Sequence, residues 1–220
     1  MLERLHAKLS VLATSTCGRA PLMEPLCTAS WDGDLEAVRS LLRVRADVNA
    51  REPKRQATGL IRAAKAGHTE VVRELVKAGA RLEAKDVDDM TALVVACQNG
   101  HIDVVRALLA ARADVHTRDK WQQTPLNNAA AEGHEAVVRM LVHEAGARLE
   151  DRDVMGGTAL FLSCQNGHVD VVRALLAARA DIHTRSKKKE TPLMKAAWNG
   201  HVAVVRLLVL EAGARLDDKD

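Results

Sequence analysis

The chain has 220 residues, of which 47% are hydrophobic but only 2% are aromatic, so its core must consist mainly of alanine, valine and leucine. Such small side chains suit thin layers of short helices and disfavour a deep cofactor cavity. The 32 basic and 29 acidic residues leave a net charge of +3, which does not by itself indicate nucleic-acid binding.

The first 22 residues differ from the rest of the chain. Leu2, Leu5, Leu9 and Leu12 recur at helical spacing between charged residues, which predicts a helix over residues 2–13 that caps the start of the fold. The charges make this segment a poor secretory signal. Its basic, Ser/Thr-containing composition leaves a transit peptide as the alternative.

Signals for a membrane or an oxidising compartment are absent from the sequence. No apolar run approaches the roughly 20 residues of a membrane-spanning helix, so we expect a soluble protein. The four cysteines, Cys17, Cys27, Cys97 and Cys164, show no close pairing motif, and we interpret them as reduced thiols. We therefore expect a cytoplasmic protein, with the nucleus as the alternative location.

From residue 23 onwards the sequence repeats with a fixed period. A glycine that closes a short helix recurs every 33 or 34 residues, at Gly33, Gly67, Gly100, Gly133, Gly167 and Gly200. This period is typical of a stacked array in which each unit buries its apolar face against its neighbours. We place an N-terminal extension at 1–22 and six repeats at 23–52, 53–86, 87–119, 120–153, 154–186 and 187–220.

The third repeat illustrates the predicted helix pair. Thr91 is a natural N-cap for the first helix, and Gly100 supplies the left-handed residue that ends it. Apolar residues over 102–109 recur at helical spacing and predict a second, amphipathic helix, with an ion pair between Asp103 and Arg106 on its solvent side. The same frame begins at Glu24, Thr58, Thr91, Thr124, Thr158 and Thr191, with proline at the first helical position in three copies (Pro25, Pro125 and Pro192).

Two segments show the repeat in its clearest form, ETPLMKAAWNGHVAVVRLLVLEAGARLD and QTPLNNAAAEGHEAVVRMLVHEAGARLE. Their TPL-containing first helix, Gly-His pair and Val-Val-x-x-Leu-Leu helix resemble ankyrin repeats, and six copies in phase cover residues from about 23 to 220. The resemblance implies an all-α repeat solenoid, an ankyrin-repeat stack of antiparallel helix pairs with projecting β-hairpin loops. A near copy of residues 96–118 at 163–185 also indicates duplication of a two-repeat block.

The sequence departs from the family pattern at two positions in the repeat. The family usually has histidine directly after TPL, whereas this chain has Cys27, Ile61, Val94, Asn127, Phe161 and Met194, so we expect a hydrogen bond common in the family to be absent. Arg45, Arg112 and Arg179 stand where the even repeats have Gly79, Gly146 and Gly213. If that position is left-handed, each arginine costs about 1 kcal/mol.

No residue pattern points to catalysis, a metal or a cofactor. Five histidines follow the repeat glycine, at His68, His101, His134, His168 and His201. Neighbouring copies would lie about 10 Å apart, whereas zinc needs several ligands about 2 Å from one ion. The sequence has no phosphate-binding loop, no GxSxG elbow and no HExxH helix. Cys97 and Cys164 lie where other repeats have alanine and are interpreted as buried small residues; we predict a non-enzyme without cofactors.

Two columns of basic residues run through the array. One lies on the second helices (Arg39, Arg73, Arg106, Arg139, Arg173 and Arg206) and one on the connectors (Arg51, Lys85, Arg118, Arg152, Arg185 and Lys219). Such columns would suit a nucleic-acid backbone or an acidic lipid surface. Acidic neighbours, among them Glu36, Asp103, Asp86, Asp119 and Asp153, favour a solvated, self-neutralised face instead.

The tryptophans indicate the interaction surface. In ankyrin repeats, partners usually contact the hairpin tips and first helices on the concave side, and the matching positions here include Trp31, Trp121 and Trp198. Tryptophan is strongly enriched among the energetic anchors of interfaces. For Trp31 and Trp198 the alternative is that they shield the two ends of the stack. Neighbours on the same surface are Lys54, Arg55, Lys65, Asp88, Met90, Gln98, Lys120, Gln123, Met155, Gln165, Lys187, Lys188 and Glu190.

We therefore predict a non-catalytic interaction module or scaffold that binds a protein partner, in particular an acidic or amphipathic segment, through its concave surface and hairpin tips. Two alternatives remain open. One is binding of an anionic ligand, either nucleic acid or acidic lipid, through the basic columns. The other is that the array is a targeting fragment of a longer ankyrin-containing enzyme or regulator.

Overall fold

The computed structural model describes residues 23–210 and residue 212. The described helices form six antiparallel pairs in chain order: α1 Met23–Asp32 and α2 Leu35–Arg43, α3 Gly59–Ala66 and α4 Thr69–Lys77, α5 Ala92–Gln98 and α6 Ile102–Ala110, α7 Pro125–Ala131 and α8 Glu135–His143, α9 Ala159–Asn166 and α10 Val169–Ala177, α11 Pro192–Trp198 and α12 Val202–Leu210. The all-α repeat solenoid is confirmed. The predicted helix over 2–13, Cys17 and Gly213 lie outside the described residues.

Threonine caps start the first helix of repeats two to six, as predicted. The Thr124 side chain, for example, accepts a hydrogen bond of 3.2 Å from the Asn127 amide. This bond satisfies one of the amides that have no partner inside the helix. The first repeat differs, because α1 begins at Met23 and Pro25 is its third residue rather than its first.

The helices form two layers. The odd-numbered helices, here called the inner helices, pack along one another, and the even-numbered outer helices do the same behind them. One position of the inner helices carries small residues that are 0% exposed: Ser30, Ala64, Cys97, Ala130 and Cys164. Small side chains allow neighbouring helices to approach closely, so the core is a thin apolar sheet between the two layers.

A histidine of each of repeats two to six locks that repeat to the one before it. His134 Nε2 lies 3.0 Å from the carbonyl oxygen of Gln98, and because a carbonyl only accepts, this nitrogen carries the proton. Its ring fills the space beside Gly100, where an added Cβ would lie 2.5 Å from His134 Nδ1. The same bond joins His68 to Trp31, His101 to Lys65, His168 to Ala131 and His201 to Gln165.

The three arginines at the glycine-like position are left-handed, so the condition stated for their strain is met. Their φ angles are 61° for Arg45, 68° for Arg112 and 67° for Arg179, close to the 69° of Gly146. A side chain in this conformation costs about 1 kcal/mol relative to glycine. The stack therefore tolerates this strain in three of its repeats.

The expected loss of the hydrogen bond after TPL is wrong for repeat four. Asn127 Nδ2 donates to the carbonyl oxygens of Asp151 and Gly157 in the next connector, at 3.3 and 3.4 Å. In repeat one, the Cys27 thiol lies 3.8 Å from the corresponding oxygen of Ala57. In these two repeats, the amide of Asn127 and the thiol of Cys27 therefore take the place of the family's histidine as partners of a connector carbonyl.

The predicted ion pair between Asp103 and Arg106 is also wrong. Arg106 Nη1 instead lies 3.5 Å from Glu144 Oε2 of the next repeat. On α4, by contrast, Glu70 reaches Arg73 three residues along the same helix, at 2.6 Å. Aspartate is one methylene shorter than glutamate, which explains why the pair within the helix does not form in the third repeat.

The histidine contact predicts a specific stability difference between two glycine substitutions. Gly100 and Gly146 have φ angles of 71° and 69°, but no described atom lies within 4 Å of an added Cβ at Gly146. Gly146→Ala should cost about 1 kcal/mol of unfolding free energy, from backbone strain alone. Gly100→Ala should cost about 2–4 kcal/mol, because it also displaces the imidazole and breaks its hydrogen bond. Equal losses in urea denaturation would contradict this role of the histidine.

Candidate functional site

The connector tips, residues 53–56, 87–89, 120–122, 154–156 and 187–189, project beside the inner helices. In the described residues the only β pairing is an isolated bridge between Arg51 and Thr58, so the predicted hairpins are tight turns rather than strands. Each tip donates one backbone hydrogen bond to the tip before it. The bonds run from Val87 to Arg55, Lys120 to Asp88, Val154 to Trp121 and Lys187 to Met155, at 2.8–3.0 Å. Consecutive tips therefore form one continuous edge.

Three aspartates shape the turns. Asp119 Oδ1 accepts hydrogen bonds from the amides of Trp121 and Gln123 at 2.9 and 2.8 Å. Asp86 and Asp153 do the same in their own connectors. These carboxylates hold the turns through backbone amides, while Asp151 pairs with the basic connector column, its Oδ1 lying 2.7 Å from Arg118 Nη2.

The connector that carries Trp121 has additional support. Asp119 is 1% exposed, and its second oxygen, Oδ2, accepts a hydrogen bond of 3.2 Å from Asn128 Nδ2. Asn128, itself 3% exposed, also donates to the Thr124 carbonyl at 3.2 Å. A buried network of this kind holds the turn in one conformation when all its groups are satisfied. The backbone of Trp121 is therefore preorganised before any partner arrives.

The Trp121 side chain is 44% exposed at the edge of the tips. The Lys120 ammonium lies over the indole, 4.3 Å from its centroid, and forms an ion pair with Asp88 of the neighbouring tip. These contacts restrict the ring at its base and leave nearly half of its surface accessible. A restrained, half-exposed tryptophan loses little entropy on binding, which suits an interface anchor.

The other two tryptophans lie at the C-terminal ends of inner helices, at opposite ends of the stack. Trp31 is 38% exposed, and the Arg62 guanidinium of the next repeat lies 4.2 Å from its ring centroid. Trp198 is 85% exposed. One face of the Trp31 ring is therefore covered by an arginine of the second repeat. This contact explains why two tryptophans at equivalent positions differ so much in exposure.

The remaining predicted contact residues divide into three groups. Lys120, Met155, Lys187 and Lys188 are exposed at the tips, while Lys65, Gln98, Gln123 and Gln165 are half-buried beside them. Lys65, Gln98 and Gln165 also have structural roles, because their carbonyl oxygens accept the histidine hydrogen bonds. Met90 is 7% exposed and belongs to the core. Its assignment to the surface is therefore corrected.

Both basic columns are engaged within the fold. On the outer helices, Arg39, Arg73 and Arg139 pair with glutamates, and Arg106 pairs across repeats. On the connectors, four of the described basic side chains donate to the backbone carbonyl of the next column member, from Arg51 to Lys85, Lys85 to Arg118, Arg118 to Arg152 and Arg152 to Arg185, at 2.8–3.0 Å. The connector column thus links consecutive repeats through hydrogen bonds.

The described cysteines are buried thiols with no disulfide. Burial raises the pKa of Cys97 far above its usual range and that of Cys164 to about 12. Burial, followed by the nearby Glu52 carboxylate, raises the pKa of Cys27 to about 11. Because the thiolate is the nucleophilic form, these environments oppose nucleophilic catalysis.

Two residues that shape the site were not predicted from the sequence: Asn128, which fixes the Trp121 connector, and Arg62, which covers Trp31. A comparison of repeats contained a signal for both. Their shared position in the inner helices holds Thr28, Arg62, Val95, Asn128, Leu162 and Lys195. This variation within otherwise similar helices marks the position as one that differs in role between repeats.

The candidate site is therefore an extended surface on the inner side of a helical repeat protein. The sequence matches the profile of the ankyrin repeat family (Ankyrin repeats, 3 copies) over residues 26–119, 84–153, 110–186 and 126–220. The chain belongs to the ankyrin repeat family. Ankyrin repeats are generally protein-protein interaction modules and are typically non-catalytic. No individual curated protein is significantly similar to the chain, and none of the described helices is long and apolar enough to cross a bilayer.

The Asp119 network predicts different effects of the same substitution in two connectors. Asp119→Asn should cost about 1–3 kcal/mol of unfolding free energy, because an amide group would then face the Asn128 amide, donor against donor. Asp153→Asn is the matched control, since Asp153 makes the same two turn bonds but has Leu162 in place of Asn128. We expect the control to cost less than about 1 kcal/mol. Equal losses in urea denaturation would exclude a special role for Asn128.

The thiol environments predict slow chemical modification of the folded protein. In a Cys17→Ser background, a disulfide reagent at pH 8 should react with Cys27, Cys97 and Cys164 at least about a hundredfold more slowly than in urea, because the thiolate fraction is suppressed. Cys27 should react first, since its pKa is raised least. A thiol that reacts at the unfolded rate would contradict its buried placement.

Proposed function

We propose that this chain is a non-catalytic interaction module that binds a protein partner across its inner face, defined as the exposed surface of the inner helices together with the connector tips. Trp121, Trp198 and Trp31 are the principal anchors. The partner presents an acidic or amphipathic segment to this face. The function rests on rigid display of side chains rather than on chemistry at any one residue.

The observation that carries this proposal is the placement of exposed apolar side chains on a fixed edge. Trp121 and Met155 are 44% and 52% exposed on adjacent tips, and a backbone bond from Val154 to Trp121 joins these tips. Trp198 is 85% exposed at the end of α11. Large apolar groups held in a rigid frame are the usual anchors of protein interfaces, because little flexibility is lost on binding.

The anchors are tested with partners captured on the immobilised full chain and identified by mass spectrometry. Trp121→Ala should weaken binding of the purified partner by about thirtyfold or more, which is the usual effect of removing an interface anchor. The melting temperature should hardly change, since nearly half of the side chain is exposed. The double variant Trp121→Ala/Trp198→Ala should lose the partner from the capture.

The control double variant is Val44→Ala/Val202→Ala. Val44 and Val202 are 56% and 68% exposed beside the outer helices, so this variant also removes exposed apolar surface, but outside the inner face. It should retain the partner. A Trp121→Ala protein that loses stability while keeping its affinity would refute the proposed anchor, and equal losses in both double variants would refute the proposed face.

A further inference from the structure

The cleft between α1, the first connector and α3 is lined by an unusual combination of three side chains. Glu52 stands where the next three connectors have Asp86, Asp119 and Asp153 and the fifth has Ser186. Arg62 lies at a position that varies between repeats, and Trp31 has its counterpart in Trp198. No other described repeat combines a glutamate, an arginine and a tryptophan at these three positions.

The longer side chain of Glu52 changes what its carboxylate does. Asp119 binds two turn amides. In the first connector, the corresponding carboxylate points towards α3 instead, with Glu52 Oε2 at 3.8 Å from Arg62 Nε. Glu52 Oε1 and Arg62 Nε are both buried and have no hydrogen-bond partner among the described residues. Buried polar atoms rarely lack a partner, so two of them in one ion pair mark this cleft as different from the other turns.

The arginine in this cleft is held in place from two sides. Trp31 supports its guanidinium at 4.2 Å and Glu52 attracts its Nε. A guanidinium fixed in this way is preorganised to bind a carboxylate, because its orientation is set in advance.

The surrounding charge favours an anionic occupant. The cleft has a volume of about 730 Å³, and its lining includes Lys54, Arg55, Arg62 and Lys65 with Glu52 as its single carboxylate. Lys54 and Arg55 are exposed at the rim. The excess of positive charge is therefore built into the first cleft.

We propose that this cleft binds an acidic peptide segment of the partner, with a carboxylate at Arg62 and an adjacent apolar side chain beside the exposed part of Trp31. This inference rests on the proposed function, because it assigns one part of the inner face to one chemical feature of the partner. A peptide fits better than a nucleic acid, since one preorganised cation beside an indole suits a single carboxylate next to an apolar side chain rather than a row of phosphates.

The test uses proton–nitrogen correlation spectra of the full chain, in which the three tryptophans give three indole signals. The probe is a short, end-blocked peptide of alternating glutamate and leucine. Its addition should shift the Trp31 indole signal in a saturable manner. The matched peptide with glutamine in place of glutamate should leave this signal in place. No shift with the glutamate peptide, or equal shifts with both, would overturn the proposal.

Two paired variants locate the binding. Lys54→Ser/Arg55→Ser removes two exposed positive charges from the rim, and Arg43→Ser/Lys77→Ser removes the same charge from the exposed C-terminal ends of the outer helices α2 and α4. The first variant should weaken binding of the glutamate peptide by about tenfold. The second should weaken it by less than about twofold, because exposed charges act over short distances at physiological salt. Equal weakening would overturn the cleft as the site. Arg62→Met should weaken binding further, and the rim variant provides the test if Arg62→Met fails to fold.

Three further outcomes separate this inference from the nucleic-acid alternative and from the proposed function. If a short single-stranded oligonucleotide shifts the Trp31 signal at lower concentration than the glutamate peptide, the cleft binds nucleic acid and the peptide proposal is wrong. If the glutamate peptide fails but partner capture still depends on Trp121 and Trp198, the cleft proposal falls and the proposed function stands. If the Trp31 signal responds but capture does not depend on those tryptophans, the cleft proposal stands and their role as anchors falls.

Discussion

The contact between the repeat glycine and the histidine of the next repeat sets the geometry of the whole stack. At Gly100 the absence of a side chain admits the His134 ring, and the ring in turn reaches the Gln98 carbonyl. The contact therefore fixes both the distance and the rotation between consecutive repeats. Because each repeat buries its apolar face only against its neighbours, this local relation propagates along the array.

The display of the inner face follows from that fixed relation. Neighbouring tips can exchange a backbone hydrogen bond, as Val154 does with Trp121, only if the repeats keep their register. The basic connector column uses the same register, since Arg118 must reach the Arg152 carbonyl. Residues that resemble a ligand-binding stripe in the sequence thus act largely as structural ties. The proposed partner surface then consists of the indoles, the exposed tips and the first cleft.

Features that depend on local sequence were predictable. The threonine caps and the left-handed Arg112 depend on a few neighbouring residues and on the comparison between repeats. Contacts between repeats could not be predicted, because they depend on side-chain length and on the distance between stacked repeats. Arg106 selects Glu144 over the nearer Asp103 for this reason, and Met90 turns into the core. For the candidate site, the sequence predicted which surface carries the tryptophans but not the contacts that fix each of them.

The most direct test of this account is a double-mutant cycle on Gly100 and His134. If the imidazole occupies the space beside the glycine, Gly100→Ala and His134→Ala should be coupled by about 1 kcal/mol or more, since each removes the contact that the other removes. The same cycle with Gly100 and His168, which do not share this contact, should be additive within about 0.5 kcal/mol. Additivity in both cycles, measured by urea denaturation, would contradict the claim that this contact couples the repeats.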